Sequence, residues 1–202
     1  MPAPKTLRDV AALGTEPNTL HSSALVMIDC QNTYREGVMQ LAGVEEALAE
    51  AHEAQRLLMR ARAAQIPIFH VMHDAGLGSP YDVRAPIGQI NDRVSPRADE
   101  PVIVKQYPNA FVGTELATLL GNCGTKNLLL AGFMTHMCVN STARGAFNLG
   151  YRPTVIGSAT ATRDLPGPGR SVVPAAVMQA ASLAALADLF AVVVDKTDNI
   201  PA

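Results

Sequence analysis

The stretch ALVMID at residues 24–29 is an unbroken apolar run closed by an acid, and its reading decides the fold. A strand with one wet face alternates apolar and polar residues, whereas a continuous run suits a parallel strand buried on both faces. The pattern recurs in IPIFHVM at 66–72, VIVK at 102–105, NLLLAG at 127–132, YRPTVIG at 151–157 and FAVVVD at 190–195. Helical segments lie between these runs. In residues 44–65 an apolar stripe of Val44, Ala47, Leu48, Ala51, Leu58 and Ala61 follows the helical period, with acids at the start and arginines at the end, as the helix dipole favours. TELATLLG at 114–121 reads as a short helix with Thr114 as N-cap and Gly121 as its stop. Residues 139–150 form a helix ended by Gly150, SATATRDLPGPGR at 158–170 a loop, and residues 172–188 the last helix. Strict alternation predicts an α/β fold: an open parallel sheet with helices on both faces.

Composition fits one domain spanning residues 1–202, with residues 1–23 as an N-terminal extension that packs on the domain or on a neighbouring subunit. The net charge is −2 and the charges are mixed, so long-range attraction to nucleic acid or membrane is not expected, and a small-molecule substrate is the default. Three scattered cysteines, Cys30, Cys123 and Cys138, make no disulfide framework and no C-x-x-C pair, which fits a reducing compartment. With no secretory leader and no membrane-length apolar run, the expected location is the cytoplasm.

In a parallel sheet, ligands bind beyond the carboxyl ends of the strands. Asp29 closes the first run, Lys105 the third, and Cys138 follows the fourth, so the fold brings all three to one edge. Taken singly, a strand-end Asp is a turn residue, a lone Lys is solvated and an internal Cys is packing. Together they have a chemistry: a thiol is nucleophilic as thiolate, a cation stabilises that form, and a carboxylate accepts its proton. The turn into the helix at Cys138 also aims backbone N–H groups at one point, a plausible oxyanion hole.

ALVMIDCQN at 24–32, VIVKQYPNAFVGTEL at 102–116 and GFMTHMCVNSTARGAFNLGY at 132–151 resemble, in order and spacing, the isochorismatase-like cysteine hydrolases. That superfamily includes nicotinamidases, N-carbamoylsarcosine amidohydrolase and streptothricin hydrolase. The resemblance implies a three-layer α/β/α fold with six parallel strands, a Cys138–Asp29–Lys105 triad, and a cis peptide at Phe133–Met134 that orients oxyanion donors on the N–H groups of Met134 and Cys138. It implies thioester hydrolysis of a small amide or carbamoyl substrate with no cofactor, in a homo-oligomer such as a dimer or tetramer. Isochorismate cleavage, a vinyl ether hydrolysis that needs no thiol, is the alternative within the family.

Gln31, Tyr34 and Phe111 fall near the triad on this reading and are expected to line the substrate pocket, unless they simply pack the turn. The loop at 73–101, rich in Gly, Pro, Asp and Arg, is expected to form a pocket wall. Its Arg84, Arg93 and Arg97 are available to an anionic substrate, unless, like most loop arginines, they are simply solvated. His70 and His73, three apart on a strand, face opposite sides, so one is expected packed and the other exposed. The histidine pair that metal-dependent nicotinamidases carry soon after strand two is missing from DAGLGSPYDVRAPIG at 74–88, so no metal is expected. His136 is too close in sequence to Cys138 to be its base, and a pocket or capping role is expected. Cys30 should be core and Cys123 a surface bystander. A nucleotide-binding reading fails for want of a glycine-rich turn in DCQNTYREG; a non-catalytic binding protein of the same fold is the remaining alternative.

Overall fold

The computed structural model describes residues 4–41 and 44–202, the side chains of residues 44–51 excepted. Six parallel strands, β1 (Ser23–Ile28), β2 (Ile68–His73), β3 (Val102–Lys105), β4 (Asn127–Phe133), β5 (Arg152–Ala161) and β6 (Val192–Val194), form one sheet in the order β3-β2-β1-β4-β5-β6. Every residue of β1 is buried because both faces are covered. Leu25 and Met27 point into one apolar layer, and Ala24, Val26 and Ile28 into the other. The first layer lies under α1 (Val44–Ala63), through Ala54, Leu57, Leu58 and Ala61. The second lies under α2 (Leu116–Asn122), α3 (Asn140–Asn148) and α4 (Ala175–Ala187). Each fully buried leucine contributes about 2 kcal/mol of transfer free energy. No described helix is long and apolar enough to cross a membrane. Of the helical stripe expected in α1, Leu58 and Ala61 are fully buried, while Val44, Ala47, Leu48 and Ala51 lie outside the described side chains.

Three boundaries correct the sequence reading. β5 continues to Ala161, through SATA of the segment expected as a loop, after a register shift opposite Leu130 and Gly132. Its Ser158 N–H bonds to Asp195 O at 2.9 Å, and Thr160 is fully buried, so these small and β-branched residues serve as strand. Val172–Val173 pairs antiparallel with Leu165–Pro166, so the last helix begins only after Pro174. Finally, α2 is capped at Glu115 and runs past Gly121; Thr114 instead accepts from Leu116 N and donates to Ala110 O.

Residues 4–22 pack across the amino ends of the strands. The guanidinium of Arg8, on the one-turn helix Leu7–Val10, donates to Leu189 O at 2.9 Å and to Gly14 O. Asn18 donates to Arg152 O at 2.6 Å.

Candidate active site

The chain winds β1, β2, β3 outward in one direction and then crosses back to lay β4 on the other side of β1. A crevice opens where such a reversal occurs, and the two strands flanking it here end in Asp29 and lead to Cys138. Asp29 leaves β1 with φ +50°, a left-handed backbone that costs about 1 kcal/mol and that Asp tolerates better than most residues. Its N–H bonds to Val71 O at 2.8 Å and its carbonyl accepts from Gln31 N at 2.7 Å, so the bend is fixed on both sides. The Phe133–Met134 peptide at the end of β4 is cis. Thr135–Val139 then makes a π-helical turn before α3, and such turns are frequent at functional sites. Cys138 sits in that turn, its side chain against the inner face of the second apolar layer.

These elements bring the three expected groups together. Lys105 Nζ stands 2.7 Å from Asp29 Oδ2 and donates to Cys138 Sγ at 3.3 Å. Asp29 and Cys138 thus meet on the same ammonium from two sides. All three are out of bulk water, with exposures of 0% for Asp29, 1% for Lys105 and 7% for Cys138. Burial pushes the Cys138 thiol up to about 12, the Asp29 charge adding to it and Lys105 opposing. Burial also raises the Asp29 carboxyl, against the pull of Lys105. Burial thus favours the uncharged form of both groups, while Lys105 favours the charged form of each.

The surroundings match the expectations unevenly. Tyr34 is buried beside the triad, its ring 5.4 Å from Phe133 and 5.9 Å from Tyr81. Gln31 faces elsewhere. Its amide donates to His73 O at 2.9 Å and Gly88 O at 2.6 Å and accepts from His73 N at 2.9 Å, so it ties the 73–101 loop to the sheet. Phe111 stacks on Tyr151 at 5.7 Å, in the apolar layer under α2 and α3. The loop folds tightly on itself: Gly88 passes so close that a Cβ there would stand 2.2 Å from Asp82 O. Arg84 is held by Asp82 at 2.6 Å, Arg93 lines a small apolar cavity with Cys30 and Tyr34, and Arg97 borders a groove with Arg62 near the start of β2.

The histidines divide differently from the expectation. His70 is buried and bonds Glu100 at 2.9 Å, but His73 is only half-exposed, its Nδ1 3.4 Å from Lys105 Nζ and its ring edge-on to Tyr81 at 5.1 Å. The loop folds over the strand end and covers a residue that strand alternation alone would leave in water. His136 Nδ1 meets Thr162 Oγ1 at 2.5 Å, fastening the turn before Cys138 to the end of β5. Cys30 is core and Cys123 half-buried; all three cysteines are free. Tyr81 went unnoticed in the sequence, because an aromatic residue in a Gly- and Pro-rich loop carries no periodic signal. Among the described residues, no three His, Cys, Asp or Glu side chains converge as a metal-binding group.

Residues 23–198 match the model of the isochorismatase domain. The chain is 35% identical over 189 residues to a secreted isochorismatase effector of Verticillium dahliae, covering 92% of this chain and 95% of that one. A streptothricin hydrolase of Streptomyces noursei is 34% identical over 82% of this chain and 59% of its own. Among solved structures, an isochorismatase from Pseudomonas putida superposes with a TM-score of 0.91 at 37% identity, over 98% of this chain and all (100%) of that chain.

Proposed function

Because this chain belongs to the isochorismatase family and is a hydrolase, we propose that it cleaves the C–N bond of a small amide or carbamoyl substrate through a thioester on Cys138. The supporting observation is the convergence on one ammonium, Lys105 Nζ, of Asp29 at 2.7 Å and Cys138 at 3.3 Å, out of bulk water. Relatives named as amidohydrolases, the maleamate amidohydrolase of Pseudomonas putida and the ureidoacrylate amidohydrolase of Rhizobium rhizogenes, point the same way.

In the proposed cycle Cys138 Sγ attacks the substrate carbonyl carbon while Asp29 takes the thiol proton. The C=O π pair moves onto oxygen, where the N–H groups of Met134 and Cys138 stabilise it. Collapse of this intermediate breaks the C–N bond, and Asp29 hands its proton to the departing nitrogen. Water then attacks the thioester, again losing its proton to Asp29, and the second collapse returns that proton to sulfur and releases the acid. The sum is amide plus water to acid plus amine or ammonia. Lys105 holds the Asp29 charge and the developing thiolate in register. Tyr34 would line the pocket through which substrate reaches the thiol.

An ammonia-release screen over amides, ureido compounds and carbamoyl amino acids, with isochorismate included, tests the reading. Turnover that disappears in Cys138→Ala supports it; turnover of isochorismate that survives Cys138→Ala would assign vinyl ether cleavage instead. The reading extends to a single hydrolase domain in a cytoplasmic homo-oligomer, dimer or tetramer, which sedimentation and cell fractionation check. Its free cysteines accord with a reducing compartment.

A further inference from the structure

An ammonium has three hydrogens, and the surroundings of Lys105 offer three acceptors: Asp29 Oδ2 at 2.7 Å, Cys138 Sγ at 3.3 Å and His73 Nδ1 at 3.4 Å. Two are the reacting pair. The third is on no element that carries the reaction, yet its place is strongly fixed. His73 and Lys105 are register partners on β2 and β3, so their side chains leave the same face of the sheet side by side. The His73 backbone is clamped at both its N–H and its C=O by the amide of Gln31. Its ring lies edge-on to Tyr81, with an interplanar angle of 89°.

Resting on the thioester reading above, we propose that His73 is a positioning residue of the triad, its neutral imidazole accepting the third hydrogen of Lys105 through Nδ1 and so aiming the other two at Asp29 and Cys138. The imidazole acts through the lysine and not on the substrate. Without this acceptor the ammonium can rotate about its last bond or tilt toward Asp29, whose charge attracts it most strongly, and its hold on sulfur weakens. Burial and the neighbouring Lys105 charge both lower the proton affinity of His73, which keeps it in the accepting form, while Asp74 beside it works in the other direction. The other groups around this cluster are Tyr81 from the loop, Asp29 and Cys138 beyond the lysine, and Arg84, which Asp82 and Asp74 hold.

The test uses the full chain with two substitutions that separate the ring from the acceptor. His73→Asn puts Oδ1 where Nδ1 was and gives up the ring; His73→Phe keeps a ring against Tyr81 and gives up the acceptor. The first readout, alkylation of Cys138 by iodoacetamide against pH with the modified peptide mapped by mass spectrometry, needs no substrate. The second is kcat and KM on the best substrate from the screen. In His73→Phe the alkylation profile is expected to move to higher pH by on the order of one unit, and kcat to fall about tenfold, as for loss of one hydrogen bond to a charged group. KM is expected to change by less than about threefold. His73→Asn is expected to return both readouts most of the way to wild type. The proposal is overturned if His73→Phe matches wild type, if His73→Asn is as impaired as His73→Phe, or if the loss falls wholly in KM. Should His73→Phe not fold, His73→Leu serves as the variant without an acceptor. If Cys138→Ala retains turnover, the thioester reading fails, and the alkylation profile still decides the part played by His73.

Discussion

On the proposed mechanism Asp29 and Cys138 pass one proton between them, and each substitution therefore moves two observables. Asp29→Asn keeps a side chain that tolerates the left-handed backbone, so it tests charge and not fold. Turnover is expected to drop about a thousandfold, within the range for loss of a general base. Alkylation of Cys138 at a fixed pH is expected to quicken, because the carboxylate charge is one of the causes holding the thiol up near 12. A variant that loses turnover yet gains thiol reactivity has no account in which Asp29 serves to ionise the resting cysteine. The pH profile has a definite sign too. Asp29 must be unprotonated to accept a proton, and burial raises its folded value, so kcat/KM is expected to fall on the acid side above the ordinary carboxylate range. Asp29, Lys105 and Cys138 were legible in the sequence because each ends or follows an apolar run whose direction is known. Tyr81 and His73 were not, since what matters for them is how a 29-residue loop (residues 73–101) folds back over a strand end, and no local pattern encodes that.

Among the elements, β1 and β4 meet with no room to spare at Gly132. With φ +120° and a would-be Cβ 1.9 Å from Ile28 O, this position admits no side chain. Gly132→Ala is expected to cost about 3 kcal/mol or more, by overpacking and backbone strain together, and to weaken activity beyond the loss of folded protein, because the strands forced apart are those that end at Asp29 and lead to Cys138. Chemical denaturation and the activity of the folded fraction measure the two effects. At the β2–β3 edge, Arg62 of α1 grips Glu100 at 2.7 Å and Glu100 grips buried His70 at 2.9 Å. Glu100→Gln removes one partner of a buried ionic network and is expected to cost about 3 kcal/mol, which in a chain of this length lowers Tm by about 10 °C. The pair also fixes a pH dependence. Arg62 holds Glu100 down at about 2, so its stabilisation is present above 4.5 and is lost as pH falls through about 2. Burial depresses His70 as well, so its neutral form stabilises above 6.5 and that contribution fades as pH falls below it. Tm is therefore expected to decline on acidification in two steps, with the lower one missing in Glu100→Gln. The strands buried on both faces were legible from their continuous apolar runs. The second half of β5 was not, because its Ser, Ala and Thr have loop-like composition, and only their burial identifies them as strand.

For the molecule as a whole, the sheet separates stability from chemistry between its two ends. The amino ends of the strands carry residues 4–22 and the Arg8 anchors to Leu189 and Gly14, far from the triad at the carboxyl ends. Arg8→Ala is expected to lower stability by about 1–2 kcal/mol, as lost charge-assisted hydrogen bonds do, and to leave kcat/KM unchanged. A change in kcat/KM would show that the two ends are coupled. The alternation of runs made this architecture readable from the sequence; the extension's docking on its own chain was not, because its few anchors are side chains reaching backbone carbonyls that become neighbours only after folding. The central pairing of β1 with β4 joins segments about a hundred residues apart in the chain. Closing so long a span is entropically slow, and until it closes Asp29 and the turn bearing Cys138 have no common edge to occupy. During refolding from denaturant, helix signal is therefore expected to recover ahead of hydrolysis, whose return follows the slowest phase. On the proposed mechanism, a chain made only as far as β3 has neither β4 nor the turn bearing Cys138, so a half-made chain carries no working active site.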